Sequence, residues 1–127
     1  LAISSANGST SLVILLVEDE FLVRDDIAQY LSDCGCIVLE ADTAERAVAM
    51  GRDAEALDVL LTDITLGDSG TGWDVAEALR ATRPDLGVVY VSGNAADQSR
   101  RVANSLLLNK PYEQPDVLQA CRDVTDK

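Results

Sequence analysis

The strongest constraint on this chain is an alternation. Short apolar runs at residues 12–17, 36–40, 57–62, 87–91 and 105–108 are separated by stretches where apolar residues return every three or four positions. A continuous apolar run bounded by polar residues is the pattern of a strand buried on both faces. The intervening periodicity is that of an amphipathic helix. A first helix is expected over about 20–34, with Val23, Ile27, Tyr30, Leu31 and Cys34 inward and Gly35 as its stop. A second runs from the N-cap Thr43 to about Asp53, and a third over 73–81, with Val75, Ala76 and Leu79 on one face and Pro84 beyond. A short, polar fourth is expected over 95–102, and a last over about 113–124, with Pro115 in its first turn and Val117, Leu118 and Cys121 inward. Alternation this regular implies parallel strands joined by right-handed crossovers, hence a doubly wound α/β sheet covered by helices on both faces.

In such sheets ligands lie beyond the carboxyl ends of the strands, where strand order reverses. The polar residues of this chain follow that rule: Glu18 and Asp19 lie past strand one, Asp63 past strand three, Ser92 past strand four and Lys110 past strand five. Taken singly, each has an ordinary explanation. Glu18 and Asp19 suit a helix start, Asp63 suits an Asx turn in a glycine-rich loop, Ser92 before Gly93 and Asn94 is turn chemistry, and Lys110 is a surface lysine. Together, three carboxylates converging at one edge would repel one another, and a hard divalent cation is the natural remedy. Oxygen donors without nitrogen or sulfur favour Mg²⁺, which shares its shell with phosphate oxygens.

Composition narrows the chemistry further. The 127 residues, 47% of them hydrophobic, are enough for one domain with a core. There is no histidine, which removes His-based triads, imidazole metal ligands and phosphohistidine carriers. The net charge of −12 opposes binding to a nucleic-acid backbone. Three cysteines, Cys34, Cys36 and Cys121, fit neither a disulfide framework nor a usual zinc site and read as reduced thiols. Residues 1–11 are small, polar and uncharged, and are expected to be a flexible leader or cloning remnant, leaving 12–127 as the domain. No run approaches the roughly 18 apolar residues of a membrane span, and no secretory pattern is visible, so the expected location is cytoplasmic.

VEDE after strand one, LLTD after strand three, VSG after strand four and NKPY after strand five occur in an order that resembles the receiver domain of bacterial two-component response regulators. The resemblance covers residues 11–127, and TGWDV and YVSGNA look like the single-domain regulators of alphaproteobacteria. It implies a flavodoxin-like sheet of order 2-1-3-4-5, with Asp63 as phosphoacceptor. It also implies Asp19 as a direct Mg²⁺ ligand, Glu18 as a water-mediated or outer ligand, and the backbone carbonyl of Thr65 as a further ligand, with Mn²⁺ able to substitute. Ser92 would hydrogen-bond the phosphoryl group and Lys110 would pair with it, aimed inward by a cis bond to Pro111. The implied donors are a sensor histidine kinase or a histidine phosphotransfer protein, and the implied readout is a downstream protein target. An aspartate is ionised at neutral pH, so such a nucleophile needs no general base.

The chain also departs from that family pattern. Leu107 stands where the family commonly has an aromatic switch residue, which puts the usual hydroxyl-to-ring coupling in doubt. The 92–110 segment looks short, so its helix is expected to be brief or partly unwound, and phosphorylation is expected to reorganise residues 93–104. Leu66-Gly67 replaces the usual Met-Pro and is expected to loosen the loop. With no output segment after Val124, the signal is expected to leave through a partner, a relay or a fused domain. The alternative function is a receiver-like interaction module that works without phosphorylation, against which the complete Asp, Ser and Lys set argues. A flavodoxin-like cofactor binder would want a Ser/Thr/Gly-rich phosphate loop where VEDEFLV stands, and an aspartyl-phosphate phosphatase would need its nucleophile after the first strand.

Overall fold

The computed structural model describes residues 11–93 and 97–125. The leader expected over 1–11 lies, apart from Ser11, outside the described residues. Five strands, β1 (Val13–Val17), β2 (Ile37–Ala41), β3 (Val59–Asp63), β4 (Gly87–Ser92) and β5 (Ser105–Asn109), form one parallel sheet of order β2-β1-β3-β4-β5. Four α-helices are described, α1 (Phe21–Asp33), α2 (Ala44–Asp53), α3 (Gly72–Thr82) and α4 (Gln114–Asp123), with a single 3-10 turn at Gly67–Ser69. No helix among the described residues is long and apolar enough to cross a membrane.

The period of two along each strand divides the core. Leu15, Val17, Leu60, Val88 and Tyr90 face one side, where Ala47 of α2 and Trp73, Val75, Ala76 and Leu79 of α3 cover them. Ile14, Leu16, Val59, Leu61, Val89 and Val91 face the other, under Ile27, Ala28 and Leu31 of α1 and Val117, Leu118 and Cys121 of α4. This double covering is why β1, β3 and β4 read as unbroken apolar runs. Thr43 caps α2 as expected, its Oγ1 accepting the Arg46 N–H at 3.1 Å. Cys34 is a correction: it is exposed, because it already occupies the C-cap position where Gly35, at φ +93°, turns the chain out of the helix.

The segment between β4 and β5 departs furthest from regular structure. Of the helix expected over 95–102, Ala95 and Ala96 lie outside the described residues, and residues 97–104 contain turns but no helix. The sequence there has no apolar stripe to bury, and its polar side chains bond locally instead. Asp97 Oδ1 accepts the Ser99 N–H at 2.9 Å, and Arg101 donates to Gln98 Oε1 at 3.0 Å. The expected irregularity of this region is therefore complete among the described residues.

Candidate functional site

Parallel register brings the strand ends to one edge. Val17 pairs with Thr62, Asp63 with Val91 and Ser92 with Asn109, so Glu18, Asp19, Asp63, Ser92 and Lys110 all emerge at the same end of the sheet. One carboxylate oxygen from each of Glu18, Asp19 and Asp63 lies within 4.8 Å of the others. The Lys110 ammonium donates to Asp63 Oδ2 at 3.0 Å and stands 3.9 Å from Glu18 Oε1. Among the described residues, the cluster of three acids is answered by one lysine, Lys110.

Glu18 is only 5% exposed, and its amide, its carbonyl and one carboxylate oxygen are hydrogen-bonded. Its N–H donates to the Ala41 carbonyl at 3.1 Å, its Oε2 accepts the Glu20 N–H at 3.1 Å, and its carbonyl accepts from Arg24 Nη1 at 2.8 Å. Arg24 is itself fixed by Glu40 at 3.3 Å and lies over the Phe21 ring. Burial, reinforced by neighbouring Asp19 and Asp63 against the opposing Glu20 amide and Lys110, pushes the Glu18 carboxyl up to about 7. The acid is short of compensating positive charge. Glu18 precedes α1 and accepts the amide of its N-cap residue, Glu20, but no side-chain cap bond closes the helix start, so its ordinary reading as a cap is met only in part. Asp63 likewise makes the Asx-type bond, its Oδ1 accepting the Thr65 N–H at 3.3 Å. Neither role excludes membership of the cluster, because each carboxylate has oxygen lone pairs left over.

Lys110 precedes a cis peptide to Pro111. Burial works to lower its pKa, but the hydrogen bond and charge of Asp63, with Glu18 behind, outweigh this and hold the ammonium above its ordinary range. Ser92 is buried at the end of β4, where its carbonyl accepts the Lys110 N–H at 2.9 Å. Leu107 is half-buried and packs with the cluster containing Trp73 and Tyr90. Tyr90, its register partner on β4, meets Trp73 with ring centroids 4.6 Å apart and planes tilted by 54°, and its hydroxyl accepts the Val102 N–H at 3.2 Å.

The loop after Asp63 is better anchored than its glycines imply. Leu66 is buried, Ser69 Oγ donates to the Leu66 carbonyl at 2.8 Å, and the Ala44 N–H donates to Ser69 Oγ at 3.1 Å, which ties the loop to α2. The expected loosening is offset by these anchors. Gly67, at φ +61°, adopts the left-handed region beside Asp19. At Gly72 a Cβ would collide with the Asp63 carbonyl, so only glycine lets α3 start this close to the strand end. Two bonds close the loop on itself: the Leu66 N–H donates to the Gly70 carbonyl at 3.3 Å and the Gly72 N–H to the Ile64 carbonyl at 2.7 Å. They flank an antiparallel bridge between Thr65 and Thr71, and neither uses the Thr65 carbonyl.

Arg24, Thr71, Asp74, Tyr90 and Arg100 lie around this site without having been singled out by the sequence reading. Thr71-x-x-Asp74 carries a legible signal, the spacing of a helix capping box. The partners of Arg24 and Arg100 are set by folding alone. Chemically, the acidic group presents only oxygen donors, a set suited to a hard cation. The lysine adds a fixed positive charge on the Asp63 side.

The model of the response regulator receiver domain matches residues 14–122. A response regulator receiver protein from Sinorhizobium medicae has a similar structure, with a TM-score of 0.86 and 30% identity, covering 91% of this chain and 95% of that one. The autoinducer 1 sensor kinase/phosphatase LuxN of Vibrio campbellii is 27% identical over 92% of this chain, and the sensor kinase CckA of Brucella abortus 28% identical over 94%. The chain spans only 13% of the length of each of these two relatives. Fold, strand-end chemistry and these likenesses agree: the chain belongs to the response regulator receiver domain family, the phosphoacceptor domains of two-component signalling.

Proposed function

We propose that Asp63 is the residue that accepts the phosphoryl group, delivered from a phosphohistidine on a sensor histidine kinase or a histidine phosphotransfer protein. The observation that carries this is the 3.0 Å contact of Lys110 with Asp63, at the edge of an acidic group whose oxygens lie within 4.8 Å of one another. An Asp63 oxygen attacks phosphorus as the phosphorus–nitrogen bond breaks, and the imidazole leaves with the electron pair. Lys110 balances charge on the phosphoryl oxygens and Ser92 supplies a hydroxyl to them.

Asp19, Asp63 and the Thr65 carbonyl would hold Mg²⁺ directly, with Glu18 behind, and Mn²⁺ suits the same oxygens. The ion's chemistry there is neutralisation of the acids and of the transferring phosphoryl group. Water entering the same pocket later cleaves the acyl phosphate, so the chain serves as a signalling phosphoacceptor, with residues 12–127 as the unit. The setting consistent with a phosphorelay is cytoplasmic, the readout a protein partner, and a net charge of −12 disfavours nucleic acid.

The test is intact-protein mass spectrometry after brief incubation with Mg²⁺ and a small phosphodonor. A gain of one phosphoryl group in the wild type, absent in Asp63→Asn and absent without Mg²⁺, is expected. No gain in the wild type, with a cognate kinase also supplied, would favour the interaction module that works without phosphorylation.

A further inference from the structure

The Asp74 carboxylate bonds both to the start of α3 and to a residue far along the chain. Its Oδ2 accepts both the Thr71 N–H at 3.0 Å and the Thr71 hydroxyl at 3.1 Å, while the Asp74 N–H donates to Thr71 Oγ1 at 3.2 Å. This closes the capping box of α3 and fixes Thr71, the residue bridged to Thr65. Its other oxygen, Oδ1, accepts from Arg100 Nη2 at 2.8 Å, across 26 residues of chain. Arg100 is gripped a second time by Glu77, one turn along α3, at 2.7 and 3.0 Å.

Arg100 belongs to the non-helical segment 97–104, and α3 and its neighbours hold that segment at two further points. The Val102 N–H donates to Tyr90 Oη at 3.2 Å, and the Tyr90 ring rests on Trp73 of α3; Arg80 of α3 donates to the Asn104 carbonyl at 3.4 Å. With leucine at 107, β5 has no ring hydroxyl or edge to transmit a change at the strand ends. The route that remains runs from Asp63 to the Thr65 amide, across the Leu66–Gly70 and Gly72–Ile64 bonds that hold Thr65 opposite Thr71, and from Thr71 through Asp74 to Arg100.

We infer that Asp74 is a positioning residue for the Thr65 carbonyl and that Arg100 couples it to segment 97–104, so that loading the phosphoacceptor site and ordering this segment are linked. The inference rests on the reading of Thr65 as a metal ligand given above. Arg100 holds the Asp74 carboxyl below its ordinary range, in keeping with a pair that stays charged. Linkage requires reciprocity: if binding at the strand ends changes the hold on Arg100, removing Arg100 must change that binding by the same factor.

The test compares wild type, Arg100→Ala, Arg100→Lys and Asp63→Asn by Mg²⁺ titration calorimetry at constant ionic strength and by amide hydrogen exchange, with and without Mg²⁺ and beryllofluoride. Arg100→Ala is expected to weaken Mg²⁺ binding about 3- to 10-fold, to speed metal-free exchange at the Leu66 and Gly72 amides, and to abolish the ligand-dependent protection of residues 97–104 seen in the wild type. Arg100→Lys recovers part of each. Unchanged Mg²⁺ affinity and unchanged exchange at Leu66 and Gly72 in Arg100→Ala, whatever its melting temperature, would reduce the ion pair to surface decoration and overturn the inference. Equal Mg²⁺ affinity in the wild type and Asp63→Asn would instead overturn the metal-site reading. Metal-free exchange at Leu66 and Gly72 then decides the link by itself: faster in Arg100→Ala sustains it, unchanged overturns it.

Discussion

Glu18 and Gly72 show how single residues are committed by the site. Glu18 is buried between two acids with one lysine in reach, so its charge costs stability until a cation arrives. Glu18→Gln is expected to raise the metal-free melting temperature by roughly 3–6 °C while weakening Mg²⁺ binding, a pair of opposite shifts readable by differential scanning fluorimetry and calorimetry. Gly72→Ala drives a methyl into the Asp63 carbonyl and to within 3.1 Å of Ile64 Cα. Rigid backbone on the far side leaves little room to relax, so a loss of about 1–3 kcal/mol in urea unfolding is expected, together with slower phosphoryl uptake. Both residues were visible in the sequence, but only Glu18 as a candidate. The constraint on Gly72 comes from the approach of two backbones, which no sequence pattern encodes.

At the scale of elements, the start of α3 matters most. Removing the Thr71 hydroxyl by Thr71→Ala is expected to cost about 1 kcal/mol of global stability, as a lost N-cap does, and to increase exchange in the 64–72 loop. The Arg100 contact, followed by the Thr71 amide, depresses the Asp74 carboxyl below its ordinary 3.8. A depressed acid stabilises above its unfolded value and loses that contribution only as pH falls through the lower one. The exchange difference between wild type and Arg100→Ala is therefore expected to be constant over about pH 5–9 and to vanish only in acid. The helices that carry apolar stripes were legible, since burial of a stripe is a local pattern with a global consequence. The one expected over 95–102 had no stripe, and there the folded chain uses side-chain contacts with Tyr90, Asp74, Glu77 and Arg80 instead.

For the whole molecule, an excess of twelve negative charges and an acidic group at one edge make the fold sensitive to cations. Mg²⁺ at about 100-fold over its dissociation constant adds about 2.7 kcal/mol, expected as a rise of roughly 8–10 °C in melting temperature for a chain of this length. Matched ionic strength from NaCl, or Mg²⁺ given to Asp63→Asn, should produce much less. The sequence by itself determined the class of sheet, the five strands and the polar residues past the ends of four of them, because strand burial and crossover handedness act through local pattern and chain geometry. It also determined that any chemistry must run without histidine. Only the tertiary structure decided that Arg24 grips the Glu18 carbonyl, that the Tyr90 hydroxyl accepts the Val102 amide, and that Arg100 reaches Asp74. These contacts join residues distant in sequence through long side chains, whose partners depend on distances that exist only once the sheet is closed on its helices.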